Sequence, residues 1–176
     1  MGTKALAGAM VVFLVTAIFA AASAESARPR GCSQLDKMAS VFPRASTVHF
    51  VKRTEIKRSA ARQPIWPGWC GRTSWSTTYT GPKGSVEVRV ALYATSHDVE
   101  AALAEPAYGP VQVQSNGARI RTTTRATETS TTPGVVSAYR NLFISSYSGY
   151  GPGPRVPIVV QWRIHHAIEV AFSALR

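Results

Sequence analysis

Acidic side chains are scarce: nine Asp and Glu stand against twenty Lys and Arg in 176 residues, a formal net charge of +11. That imbalance argues for attraction to anionic surfaces such as nucleic acid, acidic glycans or phosphate-rich envelopes, and says nothing about fold. It also leaves few carboxylates for paired acid and base chemistry. Asp36 and Asp98 sit at expected helix starts, and Glu87 and Glu169 lie beside Arg89 and Arg163 on expected polar strand faces. The usual catalytic punctuation is missing too. There is no G-x-S-x-G, no H-E-x-x-H and no glycine loop followed by Lys and Ser or Thr, so a nucleophile elbow, a helical zinc motif and a phosphate cradle are excluded. No internal repeat is present, and only two cysteines occur, Cys32 and Cys70.

Long apolar runs are absent beyond the beginning of the chain. There, MGTKALAGAMVVFLVTAIFAAASA carries Lys4, an apolar run from Ala5 and the small-x-small triplet Ala22-Ser23-Ala24, the layout of a secretory signal peptide over residues 1–24. About 18 apolar residues are enough to span a bilayer, so an uncleaved anchor is the alternative. The small residues and the lack of an immediate basic stop-transfer cluster favour cleavage. Residues 25–31 then read as an Arg/Pro tether and residues 32–176 as one domain. An exported chain meets an oxidising compartment, so a Cys32–Cys70 disulfide is expected. Loop entropy gives it a stabilisation of about 4 kcal/mol. Neither cysteine has a second Cys or a His at metal-ligand spacing.

Patterning along the rest of the chain predicts an α+β fold: an antiparallel sheet of about five or six strands, with an N-terminal helix and one short second helix packed on it. The first helix is expected in CSQLDKMASVFPRAS, capped by Ser33 with Asp36 three residues on, with Leu35, Met38, Ala39 and Phe42 on one face and Pro43 at its end. Alternation predicts a strand in STVHFVKRTEIKR, and the Pro and Gly of SAARQPIWPGWCG predict a loop tied down at Cys70. TSWSTTYTGPKGSVEVRVALY is the clearest hairpin. Trp75, Thr77 and Tyr79 precede its turn; Val86, Val88, Val90 and Leu92 follow on one face, with Glu87 and Arg89 on the other. TSHDVEAALAE reads as a short helix capped by Thr95 or Ser96. In ARIRTTTRATET, Arg119, Arg121 and Arg125 share one strand face, which suits an edge. VVSAYRNLFISSY is a further strand.

The last segment, VVQWRIHHAIEVAFS, alternates apolar with polar around His165 and His166. It is long for one strand. A hairpin with the loop His165-His166-Ala167 pairs Ile164 with Ile168 and Trp162 with Val170, keeping one apolar face. A helix with Ile164, Ile168, Phe172 and Leu175 in a stripe is the less favoured alternative, because the upstream Val and Trp suit a strand.

These features point to an exported, non-catalytic domain that binds anionic envelope polymer or a membrane surface through Arg-rich faces. The candidate anion contacts are Lys52, Arg53, Lys57, Arg58, Arg119, Arg121 and Arg125, with Trp66, Trp69 and Trp75 as stacking partners. Export makes genomic nucleic acid an unexpected partner, and no cofactor or catalytic residue is expected. The alternative is a small secreted hydrolase or metal-dependent enzyme built on His165, His166 and Glu169, joined by His49 or His97.

Overall fold

A computed structural model describes residues 29–60, 67–105, 108–126, 131–149 and 154–175, apart from the side chains of residues 125 and 126. The expected leader and residues 25–28 of the tether therefore lie outside the described residues. Eight antiparallel strands form one sheet: β1 (Lys52–Arg53), β2 (Lys57–Ala60), β3 (Trp69–Gly81), β4 (Gly84–Tyr93), β5 (Gln112–Val113), β6 (Arg119–Ala126), β7 (Thr131–Tyr139) and β8 (Leu142–Ser148). Two helices accompany them, α1 (Ser96–Leu103) and α2 (Ile158–Ser173).

The strand order is β1-β3-β4-β8-β7-β6-β5, with β2 also pairing β3. After β4 the chain therefore crosses through α1 to the far edge and returns inward by the β6-β7-β8 meander. The hairpin of β3 and β4 forms where its sequence places it, with Gly81 opposite Gly84 around Pro82-Lys83. Val86, Val88, Val90 and Leu92 are fully buried on its inner face. Helix α1 also starts as expected. Thr95 accepts from the Asp98 N–H while the Asp98 carboxylate accepts from the Thr95 N–H, a reciprocal capping box.

The α+β expectation of five or six strands under an N-terminal helix is overturned: the fold is mostly sheet, and its main helix is C-terminal. The N-terminal segment forms only 3₁₀ turns, Arg30–Cys32, Leu35–Val41 and Ser46–Val48. Ser33 makes no side-chain cap there. Leu35, Met38 and Val41 are buried at three-residue spacing, the repeat of a 3₁₀ helix, whereas Ala39 is exposed. The strand expected after it is cut into β1 and β2. Between them the Thr54 hydroxyl accepts from the Thr78 N–H at 2.9 Å and the Thr77 hydroxyl donates to the Thr54 carbonyl at 2.8 Å, so side chains replace ladder bonds.

The C-terminal hairpin is the second correction, because residues 158–173 form α2. His165-His166-Ala167 has no glycine for the positive φ of a tight turn, and two adjacent stripes fit a helix instead. Ile164, Ile168 and Phe172 bury against the sheet, and so do Gln161, His165 and Glu169, spaced four apart. Helix α2 and the 3₁₀ segment cover one face of the sheet, over Tyr79, Val88, Ile144 and their neighbours. On the opposite face, Val99, Ala102 and Leu103 of α1 pack on Ala91, Val136 and Ala138.

Cys32 and Cys70 form the expected disulfide, with Cα atoms 5.5 Å apart across 38 residues of sequence. It joins the first 3₁₀ turn to the start of β3.

Candidate functional site

The two histidines separate. His165 is wholly buried, while the His166 side chain is 67% exposed and its Nδ1 lies 3.8 Å from Glu169 Oε2. Among the described residues no three His, Cys, Asp or Glu converge as a metal would require. His49 lies before β1, near Arg163 of α2, and His97 lies on α1; neither joins His165 and Glu169 in a cluster among the described residues.

Beneath α2 runs a line of polar groups meeting serines of β7 and β8. Ser137 Oγ is 2.8 Å from His165 Nδ1, His165 Nε2 is 2.9 Å from Ser146 Oγ, and Ser146 donates to Gln161 Oε1 at 2.8 Å. The Gln161 amide is oriented by its Nε2, which donates to the Val156 carbonyl at 3.1 Å. That fixes every proton upstream. Ser146 gives its only hydrogen to Gln161 and must accept from His165 Nε2–H, so Nδ1 accepts from Ser137. Ser137 Oγ also stands 3.5 Å from Glu169 Oε1, and Asn116 Nδ2 donates to Glu169 Oε2 at 2.7 Å. Burial raises the Glu169 carboxyl above its ordinary range and lowers the His165 imidazole to about 3. The neutral imidazole agrees with the one-way chain. Sealed from solvent, it holds α2 in register on the sheet and offers a substrate no access.

Many of the expected anion contacts have internal work. Arg121 donates to the carbonyls of Leu103 and Tyr108, each at 2.6 Å, and of Gly109, tying the end of α1 to the loop before β5. Arg119 pairs with Glu100 at 3.0 Å. Arg53 donates to the carbonyls of Phe42 and Pro43 at 2.6 and 2.9 Å. Arg125 lies in β6, with its side chain outside the description. Arg58 sits over the Trp75 ring, 5.5 Å from its centroid. The aromatic candidates do not make one platform. Trp75 is buried in the core, Trp69 stacks on Tyr93 on the opposite face of the sheet, and Trp66 lies outside the described residues.

What the sequence did not bring together is a basic pocket at one end of this edge. Val48, His49 and Phe50, the turn Gly81-Pro82-Lys83, and Val160 and Arg163 of α2 enclose a cavity of about 220 Å³. His49, Lys83 and Arg163 bring basic groups to its lining, and no carboxylate does. Gly84 sets the turn against the chain entering α2: its φ is +106°, and a Cβ there would stand 2.0 Å from the Pro154 carbonyl oxygen. His49 closes the preceding 3₁₀ turn in the left-handed region, at φ +61°. Along the adjoining edge, exposed Lys52 opposite Thr80 and Lys57 opposite Ser76 project to the face away from α2, while Arg58 opposite Trp75 projects to the α2 face. Glu55 is the carboxylate between them. Four other carboxylates, Glu87, Asp98, Glu100 and Glu105, belong to β4, α1 and the residues just after α1, so charge is unevenly divided over the molecule.

No family model matches this chain, and no curated protein matches its sequence. Its fold is similar to the crystal structure of the extracellular domain of PknH from Mycobacterium tuberculosis, with a TM-score of 0.50 and 9% identity over 79% of this chain and 96% of that one. Among the described residues no helix is long and apolar enough to cross a membrane.

Proposed function

We propose that this chain is an extracytoplasmic, non-catalytic domain that binds an anionic envelope polymer along the β1-β2 edge, seating an acidic group in the pocket of His49, Lys83 and Arg163. The observation that carries this reading is the pocket itself: three basic side chains from three separate elements around an apolar floor, with no carboxylate in the lining. Exposed Arg58 lies on the same face of the β2 edge, and exposed Lys52 and Lys57 add positive charge from the other side of that edge, which favours a polyanion. The leader-like start of the sequence, the disulfide and the fold likeness to an extracellular domain support the location. Arg119 and Arg121, engaged within the fold, stand outside the binding strip.

Long-chain polyphosphate, with neutral dextran as control, tests the assignment. The reading expects polyphosphate binding that weakens as a Lys83→Glu and Arg163→Glu pair is introduced and stays unchanged in Arg119→Gln. Equal binding by the charge-reversed protein would refute it.

A further inference from the structure

Directly paired strand residues project to the same side of a sheet, so the face opposite α2 can be read rung by rung. Across β4 and β8, Ala91 pairs with Phe143, Arg89 with Ser145 and Glu87 with Tyr147. Helix α1 covers the Ala91 end, and the remainder stays open, with Phe143, Ser145 and Tyr147 half-buried. Tyr147 pairs on its other side with Gly134 of β7, where a Cβ would lie 2.6 Å from the tyrosine ring. The glycine thus leaves room for the ring to lie against the neighbouring strand.

Two adjoining cavities of about 160 Å³ each occupy this face and share Arg89, Tyr108, Phe143 and Ser145 as a common wall. Glu87 and Tyr147 complete the first, and Trp69 and Tyr93 lie in the second. Arg89 donates to Glu87 Oε1 at 3.3 Å, so in a strongly basic protein this groove holds one balanced charge pair. Burial raises Tyr108 above the ordinary phenol range and keeps it neutral.

We infer that this open face is a second binding site, for a neutral pyranose glycan about two rings long. The ring C–H faces rest on Tyr147, Tyr108 and Phe143, and hydroxyl pairs bridge the Arg89 guanidinium, the Glu87 carboxylate and the Ser145 hydroxyl. A sugar satisfies both kinds of surface, as apolar faces and polar edges alternate on one ring. An anion would meet Glu87, and a lipid chain would strip water from the Arg89–Glu87 pair without replacing it.

The test is titration of the folded protein with cellohexaose, chitohexaose and maltohexaose, followed by the fluorescence of Trp69 and by calorimetry. At least one is expected to bind, with affinity insensitive to salt and unchanged in the Lys83→Glu, Arg163→Glu protein, which separates this site from the polymer strip. Tyr147→Ala is expected to weaken binding about tenfold. Ser145→Trp, which fills the groove from a half-buried position, is expected to abolish it and covers the case in which Tyr147→Ala unfolds. Failure of all three glycans to bind overturns the assignment. So does binding that survives both substitutions, or a groove that takes extended peptides and no sugar.

Discussion

Replacing His165 by Gln separates the buried chain under α2 from every other titration in the molecule. Burial holds the folded imidazole near 3, whereas an unfolded one protonates near 6.5. Between those values the unfolded state binds a proton that the folded state refuses, so stability present above about pH 6.5 is lost as pH falls. The loss approaches about 1.4 kcal/mol per pH unit and reaches about 3 kcal/mol between pH 7 and 4. Glu169 works in the opposite direction. Its raised folded pKa contributes stability below the unfolded carboxyl value, and that contribution is lost as pH rises through the folded one. The measurement is urea unfolding by tryptophan fluorescence across this range, comparing wild type with His165→Gln and Glu169→Gln. The stability difference between wild type and His165→Gln should shrink by about 3 kcal/mol on acidification. Glu169→Gln removes that opposing titration, so its stability should fall more steeply in acid than the wild type's. A wild type and a His165→Gln protein with parallel pH profiles would refute the neutral, sealed histidine.

Reduction of Cys32–Cys70, or a double Cys→Ala substitution, should lower stability by about 4 kcal/mol for the 38-residue separation, read from the urea midpoint. Thiol reagents should label the folded protein only after reduction. Arg121→Met releases three backbone carbonyls and should cost about 3 kcal/mol, with amide exchange rising first around Tyr108 and Gly109. Polyphosphate affinity should be unaffected by that change.

Local signals carried the parts of the fold that depend on neighbours in sequence. The Gly-Pro-Lys-Gly turn, the Val86 to Leu92 alternation and the Thr95 box were all readable, because turn chemistry and capping act within a few residues. The C-terminal segment misled because Val159, Val160, Trp162 and Ile164 favour strands locally, while its helix depends on partners far away in sequence. Gln161, His165 and Glu169 at four-residue intervals, beside Ile164, Ile168 and Phe172, were the available signal. Their meaning appears only when Ser137 and Ser146 face them. The arginine stripe of β6 was placed on a strand correctly, yet the engagement of Arg121 depends on the path of the loop after α1. Likewise His49, Lys83 and Arg163 share no motif and meet only through tertiary structure.

The salt dependence of polyphosphate binding tests the proposed function most directly. Between about 50 and 200 mM salt the logarithm of affinity should fall linearly with the logarithm of salt concentration, and the Lys83→Glu, Arg163→Glu protein should lose about 2 from that slope. A flat salt response, or a slope identical in the two proteins, would contradict the account.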